Sequence, residues 1–277
     1  MLNKLKNYDF IITLGFYNPT LLAKCDICFY PFLDCETDFY VRYEVGTEEG
    51  VVALFLYEFV DKCADSALNN FINALDYGYL SAETNVSEEE FAEIKSLIST
   101  HKNPLLLVGS DILAHSHKAN ILNMISALKA HSTLNILVES DSAEILVEGD
   151  SAEILLNSDS LPQYYTLQSP QNLPEHNGCV IFVDYNSDLG KDSRDSQDSA
   201  KYSQDSKQIA TLKISREFAR AWHLSDKQRI KFLVDSQEIY AICDLDENFS
   251  GVIGILRGAK GLKQSYPFKN IIIHTGN

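Results

Sequence analysis

Long apolar runs are missing from this chain. The longest, such as Val51 to Leu56 and Pro104 to Val108, fall far short of the ~20 residues that a membrane-spanning helix needs, so no direct membrane insertion is expected. The start, Met1 to Tyr8, carries Lys4 and Lys6, but Asp9 interrupts before any apolar stretch of the secretory kind. A cytoplasmic protein is the expectation. Positive charge is scarce: 23 Lys and Arg stand against 39 Asp and Glu, a formal net charge of -16. A surface of that sign repels nucleic-acid phosphates and anionic lipid, which excludes both as expected partners and favours a basic protein surface. Phosphate-binding glycine loops are also missing. Gly46 and Gly50 are followed by no Lys-Ser/Thr pair, and their spacing fits neither nucleotide fingerprint. None of the seven histidines has a neighbouring motif that marks it as a positioned base, and no catalytic residue is assigned.

What is present is enough apolar material to fold. With 277 residues and 45% hydrophobic content, the chain can bury a real core in one large or two small domains. Its six cysteines read as thiols of a reducing compartment and not as a disulfide frame. Cys25, Cys28 and Cys35, with Cys63 further on, have the outline of an incomplete iron-sulfur or zinc set. Cys28, however, lies in the apolar run Ile27 to Phe32, where a cysteine serves as a small core residue. His115-x-His117 invites a metal reading as well. Residues two apart at a helix start share no face, and no carboxylate or cysteine cluster adjoins them in sequence, so no metal site is expected.

The densest stretch runs from Tyr43 to Leu54. Gly46 can supply the positive φ of a tight turn, Thr47 is a suitable N-cap, and Glu48 and Glu49 in the first turn favour the positive end of the helix dipole. An end so neutralised repels a phosphate. Around it the chain alternates strand and helix. Tyr8 to Leu14 and Ile27 to Phe32 read as buried parallel strands, and Tyr40 to Val45 leads into a helix over Thr47 to about Cys63, with Val51, Leu54, Phe55 and Phe59 as its stripe. A short turn of helix over Thr20 to Lys24 is expected between the first two. A second helix, Ser66 to Leu75, should stop near Gly78. Ser87-x-x-Glu90 is a capping box for a third, with Phe91, Ile94, Leu97 and Ile98 inward. Pro104 to Val108, a helix capped by Ser116 and running to about Ala130, and Leu134 to Val138 complete a parallel crossover.

Leu134–Ser142, Ala143–Ser151 and Ala152–Ser160 are three tandem nonapeptides. The first is the strand of the fold itself, and the other two are insertions that loop out or add an edge hairpin, since an odd period flips the face of each copy. A calcium-binding β-helix would need glycine-rich turns, and only Gly149 is present. Cys179 to Val183 reads as another strand of the same domain. Asp184 to Gln208 is a Ser/Asp/Gln/Lys tract expected to be disordered. Beyond it Ser215 should cap a helix through Trp222, and Ser225-x-x-Gln228 has the form of a capping box. Arg229 to Val234, Glu238 to Cys243 and Asn270 to His274 read as strands, with Gly251, Gly254, Gly258 and Gly261 in the turns. The expected organisation is an α/β domain over 1–183, a linker over 184–208 and a small, mostly β barrel over 209–277.

Tyr43-Glu-Val-Gly-Thr-Glu-Glu-Gly50 with its Val-Ala-Leu, Leu75-Asp-Tyr-Gly-Tyr-Leu-Ser-Ala-Glu83, and Leu107-Val-Gly-Ser-Asp-Ile-Leu-Ala-His115 with Ala119-Asn-Ile-Leu resemble the large iron-sulfur subunit of bacterial NADH-quinone oxidoreductase. The type is that of epsilonproteobacteria such as Helicobacter and Campylobacter. The likeness covers roughly residues 5 to 140, and the part from Ser215 onward resembles more loosely the closing β-barrel of molybdopterin oxidoreductases. It implies a Rossmann-like three-layer parallel sheet plus a barrel, and a place in the peripheral arm of respiratory complex I, on the cytoplasmic side of the inner membrane. The partners it implies are other complex I subunits and, indirectly, flavodoxin or ferredoxin. The cysteine motifs of the family's ferredoxin-like part, and any molybdenum-ligating residue, have no counterpart here, so the resemblance implies a complex I accessory subunit, or a truncated copy of the large iron-sulfur subunit, without a cofactor of its own. The alternative is a redox enzyme or binding protein holding a flavin, pterin or nicotinamide at the carboxyl ends of the strands, where such folds bind ligands. Gly15, Gly46 and Gly109 are the turns that would line that crevice, and each also serves simply to end a strand.

Overall fold

The computed structural model describes residues 5–18, 22–34, 39–61, 64–139, 156–157, 166–185 and 209–273. The protein divides into two compact units, Met1–Glu175 and His176–Asn277. The first is α/β. Strands β1 (Phe10–Leu14), β2 (Ile27–Phe29), β3 (Phe39–Val41), β4 (Pro104–Val108), β5 (Asn135–Glu139) and β6 (Leu156–Asn157) form one sheet in the order β3-β2-β1-β4-β5-β6. The first five are mutually parallel. Every residue of β1, β2 and β4 is buried, as their unbroken apolar runs require of strands covered on both faces. β6 pairs antiparallel with β5. It lies in the third nonapeptide copy, which thus adds an edge strand, while the rest of the two inserted copies lies outside the described residues.

Helix α1 (Glu48–Phe59) differs from its expected one-sided stripe, because all nine residues from Glu48 to Leu56 are buried. A helix apolar or satisfied on every side belongs inside a domain. Its covering comes from α2 (Ser66–Asn73), α3 (Tyr77–Thr84), α4 (Glu88–Ile98), α5 (Ser110–Ala114) and α6 (Lys118–His131), together with Leu173. A Cβ on Gly50 would lie 2.7 Å from both Leu173 Cδ1 and Thr84 Cγ2, so glycine is what lets α1 sit this deep. Phe91 on α4 closes an aromatic cluster, its ring 5.2 Å from Phe55 and 6.0 Å from Phe29.

Local signals hold in part. The Ser87–Glu90 capping box is present in both directions. Gly78 does not stop a helix; it lies inside α3, a helix the sequence pattern does not disclose, which starts because the Asp76 carboxylate accepts from Tyr79 N–H. Ser116 does not cap α6, whose N-cap position is His117. Thr20, Cys35 and Cys63 are outside the described residues.

The second unit is built from β7 (Cys179–Asp184), β8 (Ala210–Ile214), α7 (Arg216–Ala221), β9 (Arg229–Val234), β10 (Gln237–Leu245), β11 (Ile253–Arg257) and β12 (Phe268–Ile271), in the sheet order β12-β7-β11-β8-β10-β9. This corrects the expected boundary: β7, expected in the first domain, pairs with β11 and β12 and belongs to the second. A buried run of this kind names no partner strand. The sheet mixes parallel and antiparallel neighbours and curls, so that the edge strands β9 and β12 approach. Lys269 Nζ of β12 lies 2.7 Å from Asp235 Oδ2, just past β9. Ser215 caps α7 by accepting from Phe218 N–H at 3.0 Å. Gln228 reaches back to Ser225 N–H at 2.8 Å, yet a turn follows and not a helix. Gly254, expected in a turn, lies within β11, where a Cβ would meet Leu212 and Phe218 at 3.2 Å. The tract beyond Tyr185 to Gln208 is outside the described residues. Among the described residues no helix is long and apolar enough to cross a membrane.

Phe91→Ala removes the centre of the aromatic cluster, and we expect it to destabilise the first unit by about 3–5 kcal/mol, read from denaturant unfolding followed by near-UV circular dichroism.

Candidate functional site

In the first sheet the backbone runs outward from β1 through β2 to β3, then returns to place β4 on the other side of β1. The carboxyl ends of β1 and β4 therefore flank the point where strand order reverses, the usual ligand crevice of open parallel sheets. Gly15 follows β1 and Gly109 follows β4. The structure brings these two together in direct backbone contact: a Cβ on Gly109 would lie 2.1 Å from the Gly15 carbonyl oxygen and 2.5 Å from Phe16 Cα. Gly109 N–H donates to Leu14 O at 2.9 Å, and Asp111 N–H donates to Gly15 O at 3.3 Å. Gly15 has φ +61 and packs on Ile112. Gly46 stands apart from this pair, at φ +83 before α1, and its carbonyl accepts from His115 Nε2 at 3.1 Å. All three glycines thus bear on the turn of α5 and its exit.

Around that turn lies a set of buried ionisable groups. Glu48 is fully buried and Glu49 nearly so. Tyr43 OH donates to Glu48 Oε1 at 3.3 Å, and Glu48 Oε2 is 3.4 Å from His115 Nε2. His115 Nδ1 accepts from His117 N–H at 3.0 Å, which leaves Nε2 as the protonated nitrogen facing Gly46 O and Glu48. The His117 ring reaches Glu49 through Nδ1 at 2.7 Å, and Asn120 Nδ2 donates to Glu49 Oε1 at 2.7 Å. Asn120 also exchanges two hydrogen bonds with the backbone of Gln168. Glu139, at the end of β5, accepts from Ser110 N–H at 2.6 Å.

Thr47 does not cap α1. Its hydroxyl donates to Glu44 O at 2.6 Å, and no side chain caps that end. The two glutamates do occupy the first turn, but inside the protein, where their partners are residues nearly 70 positions later. The pair His115-x-His117 is visible in the sequence, and the carboxylates that it meets are supplied only by folding. Among the described residues no group of three or more His, Cys, Asp or Glu is arranged to hold a metal ion.

The second set centres on Asp111, on α5. Tyr30 OH donates to Asp111 Oδ2 at 2.6 Å, and the Tyr30 ring packs against Tyr17 and Phe32 with centroids at 5.8 and 5.1 Å. Burial pushes the Asp111 carboxyl well above the usual carboxylate range, and the nearby Glu48 and Glu139 charges push the same way against the lowering effect of the Tyr30 hydrogen bond. Among the described residues the cysteines carry no comparable chemistry. Cys25 and Cys28 are buried, and burial pushes the thiols of Cys179 and Cys243 up to about 12 and about 11, far from the thiolate that metal binding or nucleophilic attack requires.

What this arrangement does is hold the β1, β4 and β5 loops and the start of α1 in one packed block. No protein-family model matches the sequence, and no curated protein matches it.

Gly109→Ala should destabilise the first unit by about 3 kcal/mol, at the upper end for overpacking, because the obstruction is backbone; its unfolding midpoint in urea tests this. Asp111 gives a pH dependence of fixed sign. Its folded form keeps a proton that an unfolded carboxyl loses near pH ~3.9, so stability falls as pH rises from there toward the raised folded value, at up to about 1.4 kcal/mol per pH unit. Asp111→Asn, which preserves shape and carries no proton equilibrium, should remove that slope when urea midpoints of the two proteins are compared across the acid-to-neutral range.

Proposed function

We propose that this protein is an accessory subunit of a complex I-like NADH-quinone oxidoreductase, adding a folded docking surface to the peripheral arm without a cofactor of its own. The observation that carries the reading is a convergence. The three stretches that resemble the large iron-sulfur subunit, 43–50, 75–83 and 107–115, meet in the fold. Tyr43 and Glu48 join His115 and Gly46, Gly50 packs toward Leu80, and Asn120 of the accompanying Ala-Asn-Ile-Leu motif binds Glu49. Residues that form one packed block have reason to be kept together.

The strand order supports a Rossmann-like ancestry, since 3-2-1-4-5 is the order of the doubly wound dinucleotide folds. The crevice between the ends of β1 and β4 is here closely packed. Gly109 abuts the Gly15 carbonyl, and two carboxylates occupy the first turn of α1, where phosphate would otherwise meet free N–H groups. Both features weigh against the alternative of a bound flavin, pterin or nicotinamide at Gly15, Gly46 and Gly109.

Charge divides unevenly. Residues 1–175 hold 26 of the Asp and Glu and 9 of the Lys and Arg, whereas residues 176–277 hold 13 and 14. Nearly all of the repulsion toward an acidic flavodoxin or ferredoxin therefore comes from the first unit, which suits a basic neighbouring subunit between the two.

Affinity capture of the tagged protein from mildly solubilised membranes tests the proposal: other complex I subunits should co-purify in stable ratio. In parallel, titration with NADH, FMN or FAD should give neither heat nor spectral change. A protein recovered alone, or one that binds a flavin stoichiometrically, overturns the reading.

A further inference from the structure

The sequence contains a single Asn-Gly pair, Asn177–Gly178, placed directly before β7. Both residues are exposed. Gly178 has φ +102, and a Cβ built there would meet nothing within 4 Å, so the side of Gly178 where a side chain would stand is open. Among the described residues no backbone hydrogen bond engages the Gly178 N–H. Asn172, five residues earlier, is the contrasting case. It is also exposed, but the next residue is Leu173, whose side chain is buried and whose N–H donates to Tyr79 OH at 3.2 Å. The Leu173 nitrogen is thus both shielded by its own Cβ and committed to a hydrogen bond.

We propose that Asn177–Gly178 is a site of spontaneous modification, at which the Asn177 amide is lost through a succinimide. The backbone nitrogen of Gly178, after giving its proton to solvent base, attacks Cγ of Asn177. The new N–C bond closes a five-membered ring, the bond from Cγ to the amide nitrogen Nδ2 breaks, and ammonia leaves with a proton from solvent. Water then opens the ring at either carbonyl, giving aspartate or isoaspartate. One water is consumed and one ammonia released, with no change of oxidation state. Glycine is the residue that favours this attack, because it has no Cβ to crowd the nitrogen and its backbone turns freely.

The place gives the modification a structural consequence. Isoaspartate inserts a methylene into the backbone and adds a negative charge two residues ahead of Cys179, the first residue of β7, which is paired with Ile271 of β12. β7 lies between β11 and β12, so a shifted start bears on two strand pairings of the second unit.

The full-length protein, incubated in mildly alkaline buffer, is digested and mapped by mass spectrometry, and isoaspartate is labelled with isoaspartyl methyltransferase and a labelled methyl donor. A synthetic peptide of residues 172–183 is incubated alongside. Asn177 should lose its amide before Asn172, with isoaspartate label in that segment, and Asn177→Gln should abolish the label. If Asn177 keeps its amide while the peptide has converted, or if Asn172 converts first, the proposal is overturned.

Discussion

A carboxylate leaves water at high cost unless the protein supplies partners, and this protein buries two in succession at the start of its central helix. Glu48 is held by Tyr43 and faces His115; Glu49 is held by His117 and Asn120. To provide those partners, the exit of α5 and the start of α6 must come down onto α1, and Gly46 must turn so that its carbonyl meets His115. Gln168 is tied in through Asn120, which brings the segment carrying Leu173 across Gly50. The positions of three segments thus follow from satisfying two side chains.

The same demand accounts for the closed crevice. In open parallel sheets the reversal of strand order leaves a gap above the strand ends, and here that gap holds α5, with Asp111 turned inward against Tyr30 and the Gly15 carbonyl pressed against Gly109. Burial, with Glu48 and Glu139 nearby, pushes the Asp111 carboxyl well above the usual carboxylate range and so favours its neutral form. The second unit rests on different physics. Its charged side chains lie mainly outside and pair across neighbouring strands, as Lys231 does with Glu238, while Phe218 and Phe232 fill the inside of the curled sheet.

Much of the fold is legible where its signals are local. The apolar runs of β1, β2 and β4, the Ser87–Glu90 box and the Ser215 cap each act within a few residues, and each appears where the pattern places it. The misplaced features share one property: they depend on a partner that the local pattern does not name. Gly78 reads as a stop until Asp76 starts a helix over it. Gly254 reads as a turn until Phe218 requires its missing Cβ. Thr47 reads as a cap, but Glu44 O takes its hydroxyl.

Residue order is enough to set the alternation of strand and helix, the parallel character of the buried runs, the thinness of positive charge and the glycines Gly15 and Gly109 at the strand ends, since periodicity, side-chain volume and formal charge all belong to residues read in succession. Folding in three dimensions chose the rest. It set β7 in the second sheet, because an apolar strand fits any covered neighbour and only the competing pairings choose between them. It joined Glu48 and Glu49 to His115 and His117, because a hydrogen bond spanning nearly 70 residues leaves no trace in the sequence between its ends. It closed the Gly15–Gly109 crevice, because whether two glycines admit a ligand or each other is set by how closely the backbones approach.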